Sequence, residues 1–389
     1  MDNFLYIYPD FLIEFRCIGS ECMNTCCEGW NIQVDEDTAE YYEHLEGEFG
    51  DFLRQHVLRD GQTNKITAIK LEEGKRCPFL NKEGLCRIQL ECGPEHLGQI
   101  CQNYPRFEHG SNNTALLTVV TSCDAITNIL YNRTLPIRLC TAGEKEADIS
   151  TIDDYKVLEL SHFISWGMDL LQDESVPFGT ALATVLYVGL ESEIPFEQND
   201  FQTIDSIILQ APEIQAEFLQ AKQELDTEET KRAAWRFILG VIEAFCNISS
   251  QKVKNPKLEA ILWKPEMFSQ SNEERWNYIY PRWRESQKSK KEKSFLRRYS
   301  AVCLLHYSSS IPASQYLFNM CITMILAEIL PLTWEGSEKL SKREYLTRLS
   351  LLSRWFEQKT ILTEHLQSMV ENAFAPDFYT YAIALMELF

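Results

Sequence analysis

The sequence predicts a mainly α protein in two parts. An irregular, cysteine-rich, metal-binding domain spans residues 1–140, and an α-helical domain follows over residues 155–389. Three observations predict this division. Ten of the thirteen cysteines lie in the first 140 residues, bunched among glycines and turn residues. The charged, small-residue stretch Thr141 to Asp154 reads as a linker. Beyond it apolar residues recur near the 3.6-residue period of a helix, with prolines mostly between the periodic stretches, where helix breakers belong. A length of 389 residues also suits two domains better than one, at about 150 residues each.

Within the first part, Trp30 to Val34 alternates like a strand. Thr38 to His44 reads as a short helix with Asp35 or Asp37 as N-cap. Asn81 to Gly84 marks a hairpin turn, Glu95 to Ile100 a short helical stretch, and Leu116 to Val120 a buried strand. In the second part the pattern gives helices over Tyr155 to Leu171, Thr180 to Leu190, Ile204 to Leu225, Thr227 to Asn247, Ser294 to His306, Tyr316 to Leu330, Lys342 to Phe356 and Leu362 to Phe374.

Apolar residues make up 45% and charged residues 24%, the balance of an ordinary globular protein. A net charge of -20 argues against a nucleic-acid partner and tolerates a lysine-bearing protein partner. Met1-Asp-Asn-Phe-Leu lacks the basic start of a secretory signal. The most apolar segment, Tyr316 to Leu330, is too short to span a bilayer and carries Asn319 and Glu328. These readings predict a cytoplasmic protein without a membrane partner. In that reducing compartment clustered cysteines are metal ligands or redox groups more often than disulfides.

The first cysteine element is Cys17-Ile-Gly-Ser-Glu-Cys22-Met-Asn-Thr-Cys26-Cys27-Glu-Gly-Trp30, with four thiols in eleven positions. Thiolate is a soft ligand that selects zinc, Cu(I) or iron–sulfur clusters over hard cations. Side chains of the adjacent pair Cys26 and Cys27 diverge. One of them therefore serves a second metal or packs in the core. The second element is Cys77-Pro-Phe-Leu80, then Gly84-Leu-Cys86, then Cys101 ahead of the Tyr104-Pro105 turn, with Cys123 later. The predicted metal ligands are thus Cys17, Cys22, Cys26, Cys27, Cys77, Cys86, Cys101 and Cys123. Cys92 and Cys140 fit no ligand spacing, and Cys246, Cys303 and Cys321 sit singly in apolar helices as small buried hydrophobes.

The run Phe15-Arg-Cys17 to Trp30, the Cys77-Pro-Phe-Leu80 block, Gly84-Leu-Cys86, Cys101 with Tyr104-Pro105-Arg106, and Ser122-Cys123 resemble the FliB family of flagellin lysine-N-methylases in order and spacing, over residues 5 to about 125. The same pieces are similar to smaller zinc- or iron-chelating cysteine-cluster domains. The resemblance implies methyl transfer from S-adenosylmethionine to lysine amines of flagellin, with an iron–sulfur cluster of the [4Fe–4S] type held by the cysteines, and zinc as the alternative metal. The radical-enzyme spacing Cys-x3-Cys-x2-Cys is absent, because Cys22-x3-Cys26 is followed at once by Cys27. A Gly-x-Gly-x-Gly loop is absent too.

Amine methylation by a sulfonium is a polar displacement. It needs a deprotonated lysine in line with the methyl group and shielded from water. Aromatic faces suit a cationic cofactor, and Trp30, Tyr41, Tyr42 and Tyr104 are the aromatic candidates. Glu28, Asp35 and Asp124 are the carboxylate candidates. Arg106 is placed to hold a cofactor carboxylate bidentately, so Arg106, Tyr104 and Trp30 form the expected cofactor-binding set. His96 and His109 read as surface histidines. The basic run Arg282 to Arg298 reads as a solvated loop and helix start, or as a dock for an acidic partner. A non-catalytic metal-binding protein on a helical scaffold, or an interaction protein stapled by its metal, are the alternatives.

Overall fold

The computed structural model describes residues 4–29, 31–73, 76–111, 113–143, 151–224, 226–252, 271–286, 288–308, 313–333, 341–358 and 360–389. Trp30, Gly74 and half of the expected linker, residues 144–150, lie outside the described residues. The chain is mainly α. It divides into two compact units, one of residues 16–107 with 123–125, the other of residues 1–15, 108–122 and 126–389. The boundary thus differs from the expected one: residues 1–15, 108–122 and 126–140 pack with the helices rather than with the cysteines. The reason is strand pairing between distant segments.

In the larger unit Leu5–Pro9 pairs parallel with Thr114–Val119, with Ile7 opposite Leu116, and antiparallel with Leu139–Ala142, with Tyr8 opposite Cys140. Arg106–Gly110 completes a four-stranded sheet at the far side of Thr114–Val119. The residues of Thr114–Val119 are buried almost without alternation, as in a strand covered on both faces. Helices Ile152–Gln172 and Lys290–Ser308 pack on that strand and on each other. Gly167 permits this, because a Cβ there would meet the Leu304 side chain at 2.6 Å. Phe178–Glu191 and Phe378–Leu388 pack just as closely, with Gly179 facing the Leu385 carbonyl.

The expected helices recur within a few residues of their predicted ends, except that Ile204 to Leu225 is two helices, Phe201–Leu209 and Ala211–Glu224. Pro212 sits near the start of the second, where its missing N–H costs nothing. Pro281 and Pro331 instead lie inside helices Asn272–Glu285 and Ala313–Thr333. Burial of Ile279 and Leu330 beside them outweighs the lost backbone bond. Among the described residues no helix is long and apolar enough to cross a membrane.

The smaller unit carries short elements: helices Glu36–His44, Gly47–Gln55, Arg87–Glu91 and Gln99–Asn103, and an antiparallel ladder of Val57–Arg59 with Ile66–Ile69. Asp35, not Asp37, caps the first helix, its carboxylate accepting the Thr38 amide at 3.0 Å. Of the expected strand Trp30 to Val34, the described residues 31–34 make a single isolated bridge, Gln33 to Ala68, rather than a regular strand. The unit's core is built on Tyr42, Leu53 and Phe79, each nearly or wholly buried. Cys77 belongs to this core, and Cys27, Cys86, Cys92 and Cys101 pack against it.

Candidate metal centre

Backbone pairing brings distant cysteines together. The Cys77 amide donates to the Cys27 carbonyl at 2.8 Å, and Glu28 bridges Arg76, so the Cys27 and Cys77 segments run side by side. Leu80 bridges Cys86 across the expected turn, where Asn81 accepts the Leu85 amide on its side chain at 2.8 Å and Gly84 takes φ +78°. That positive φ is why glycine stands there. Cys101 lies within helix Gln99–Asn103 rather than after a helix over Glu95 to Ile100. Asp35 positions that helix by accepting the Gln99 amide at 2.8 Å.

The result is a set of four thiols, Cys27, Cys77, Cys86 and Cys101, each within electrostatic reach of the other three. Burial raises the pKa of Cys77 and Cys86 and pushes Cys101 up to about 12, and the neighbouring thiols act in the same sense. Burial and mutual repulsion thus disfavour the thiolate forms of Cys77, Cys86 and Cys101. A bound metal reverses that preference, because its charge stabilises thiolate where burial and repulsion disfavour it. These soft donors are of the kind zinc and iron–sulfur clusters take, but no three of their sulfurs lie within 4.8 Å of one another, so they do not form a closed tetrahedral site as they stand.

A second group borders the first. Cys26 hydrogen-bonds Cys27 and lies near Cys101 and Cys123, and that hydrogen bond, then burial, holds its pKa well up. Cys22 lies near Cys123 and Asp124, and burial chiefly pushes it up to about 12. Asp124 is buried and accepts the Met23 amide at 3.0 Å and the Asn24 amide at 2.9 Å, with the Cys22 thiol at 3.6 Å. It thereby fixes the loop that carries Cys22 and Cys26. Cys17 is exposed, and its sulfur takes the Gly19 amide at 3.4 Å, a local contact. Cys92, which fitted no spacing, accepts the Tyr41 hydroxyl and neighbours Cys86. Only the fold brings it there. Cys140 lies in the other unit, on Leu139–Ala142.

The expected cofactor residues are placed differently. Arg106 is exposed and donates to the Asn103 carbonyl at 3.1 Å and the Gln102 carbonyl at 2.7 Å, closing the end of the Cys101 helix. Tyr104 precedes Pro105 across a cis peptide bond, and Trp30 is outside the described residues. Tyr41 stacks on His96 at 3.8 Å, and Tyr42 donates to the His96 carbonyl at 3.1 Å. His109 belongs to the helical unit, where burial lowers its pKa.

Comparison with known proteins bears on this site. The chain is 29% identical over 127 residues to lysine-N-methylases of Salmonella typhimurium and Salmonella choleraesuis, a span covering 32% of this chain and 32% of each relative. It is 28% identical over 127 residues to the flagellar biosynthetic protein FliU of Salmonella muenchen, covering 75% of that protein. The chain resembles the FliB-type lysine-N-methylases over a third of its length. The match likewise spans about a third of the length of the two methylases. No protein-family profile and no solved structure matches the chain.

Proposed function

We propose that this protein is a cytoplasmic S-adenosylmethionine-dependent methyltransferase that N-methylates lysine side chains of flagellin or a similar surface protein, with a metal centre held by Cys27, Cys77, Cys86 and Cys101. The mutual approach of these four thiols carries the reading, together with the similarity to lysine-N-methylases. A [4Fe–4S] cluster is the centre proposed, with zinc as the alternative. Cys22, Cys26 and Cys123 adjoin it as reserve ligands, and Cys17 is the least supported of the eight.

If only three of these thiols held the cluster, its fourth iron would be free to take the amino and carboxylate groups of the cofactor; with all four bound, the cluster would be structural. The protein's own residues would orient the lysine and exclude water. Asp35 and Asp124 are engaged by backbone amides, so neither is the base that takes the lysine proton. Glu28, beside Cys27, is the third carboxylate candidate. Arg106 gives Nε to the Asn103 carbonyl and one Nη2 hydrogen to the Gln102 carbonyl, and its Nη1 end would meet a cofactor carboxylate.

A second reading, a non-catalytic metal-stapled scaffold, is favoured by one observation: the four thiols belong to, or pack against, the hydrophobic core of their unit. Anaerobic purification with iron, sulfide and zinc analysis, followed by S-adenosylmethionine titration and mass spectrometry of flagellin, separates the two. Iron with sulfide, a spectrum perturbed by the cofactor, and 14-Da increments (about one methyl each) on flagellin lysines support methylation. Zinc alone with no cofactor binding leaves the scaffold. The exposed set Glu159, His162 and Asp205 brings three ligand atoms within 4.8 Å of one another, so metal analysis is repeated on His162→Ala.

A further inference from the structure

A cavity of about 850 Å³ opens in the helical unit beside the turn from Glu174 to Phe178. Its size falls in the range of small-molecule sites, roughly 300–1,000 Å³. Phe178, Trp283 and Phe389 give it aromatic walls, the first and last meeting edge to face at 5.0 Å. Such walls take a planar ring.

The charges around it do not balance. Glu328, buried in the apolar helix Ala313–Thr333, is paired with Lys288. Glu174 pairs with Lys290 at 3.3 Å and accepts the Ser294 hydroxyl at 2.5 Å. Arg297 donates to the carbonyls of Leu171, Asp173 and Val176 at 3.0, 2.8 and 2.6 Å, fixing the turn that forms one wall. Both carboxylates are thus matched. Arg284 and Lys293 line the same cavity and have no carboxylate partner among the described residues. In a chain of net charge -20, this is a local positive field around an aromatic pocket.

We propose that the cavity binds a nucleotide, its ring against Trp283 and its phosphates on Arg284 and Lys293. Guanidinium and ammonium groups both hold phosphate oxygens, the first in a fork and the second as a point charge. S-adenosylmethionine suits the site less well, since its sulfonium and ammonium charges meet unneutralised cations. The proposal does not rest on methyl transfer.

The test is equilibrium dialysis of the full, metal-loaded chain against ATP, tripolyphosphate and S-adenosylmethionine, with free divalent ions removed. ATP is expected to saturate one site per chain. Arg284→Glu with Lys293→Glu should weaken it at least about tenfold, or roughly 1.4 kcal/mol. The milder Arg284→Gln with Lys293→Gln pair should weaken it less, and Lys65→Glu, on the other unit, should not. Trp283→Ala should weaken ATP and leave tripolyphosphate unchanged. Absence of saturable ATP binding, equal binding by both charge variants and wild type, or tighter binding of S-adenosylmethionine than of ATP would overturn the proposal. The ATP and tripolyphosphate results do not bear on flagellin methylation, which is read by mass.

Discussion

The Asp124 carboxylate accepts the Asn24 amide at 2.9 Å, joining residues a hundred positions apart in sequence. The same oxygen takes the Met23 amide, so one buried carboxylate sets the path of the loop between Cys22 and Cys26. Removing it strands the buried Asn24 amide, at a typical cost of about 1–3 kcal/mol, and frees the part-buried Met23 amide as well. Asp124→Ala should therefore lower the stability of the cysteine unit and release metal faster to a chelator. Unchanged chelator kinetics would show that the loop holds its shape without Asp124.

The four inner thiols should be unequal to the rest. Cys77→Ser and Cys101→Ser are expected to lose most bound metal, whereas Cys17→Ser and Cys140→Ser should keep it. Metal-to-protein ratios after anaerobic purification decide this. Retention of full metal by Cys77→Ser would remove that residue from the centre.

Asp35 holds two helix starts at once, through Thr38 and Gln99. Asp35→Ala should cost about 1–2 kcal/mol, the upper part of the range for a lost cap, because two N-termini are affected. Burial pushes this carboxyl up, but the hydrogen bonds from Gln99 and Thr38 outweigh burial and hold it below its ordinary value. Its contribution is therefore present above the ordinary carboxylate range and lost as pH falls through the lowered value. Denaturant titrations of wild type and variant at neutral and acid pH should converge at low pH.

His306 gives the helical unit a separate acid sensitivity. Burial, helped by nearby His109, lowers its imidazole from 6.5 to about 4; the residue keeps some surface, but its Nδ1 is buried. Between those values the unfolded chain binds the proton that the folded chain refuses, so stability falls as pH drops from 6.5 towards 4. His306→Leu should flatten that dependence. An identical pH profile of thermal unfolding in the variant would contradict it.

Gly179→Ala should destabilise the helical unit by about 1–3 kcal/mol, the range for overpacking, because a Cβ there would lie 2.5 Å from the Leu385 carbonyl oxygen. Metal content should not change. Thermal unfolding followed by helix content, alongside metal analysis, checks both halves.

Signals confined to a few neighbouring residues are legible in the sequence. The Asp35 cap, the Asn81 to Gly84 turn and the periodic helices all depend on residues a few positions apart, which is why they were legible. Leu5–Pro9 was missed because its pairing with Thr114–Val119 is settled a hundred residues downstream. The same non-local pairing displaced the expected boundary at residue 140. Helix Asn272–Glu285 was missed although Ser271 and Glu274 form a capping box, a four-residue signal available in the sequence. At the site, clustering of cysteines was visible, but the inner set was not. It depends on which segments lie side by side.

The chain leaves the sheet after Leu5–Pro9, makes the cysteine unit, and returns to the same sheet as the parallel neighbour Thr114–Val119. The cysteine unit is therefore an insertion between two strands, not a head that can be cut away. A truncation beginning at residue 141 would delete three of the sheet's four strands and part of the fourth, exposing the helices packed on Thr114–Val119. Excising residues 16–107 and closing the gap with a flexible linker would keep Leu5–Pro9, Thr114–Val119 and Leu139–Ala142. Residues 123–125 nonetheless belong to the cysteine unit and carry Asp124, so the insert moved by its two ends alone would lose the carboxylate that holds its first loop.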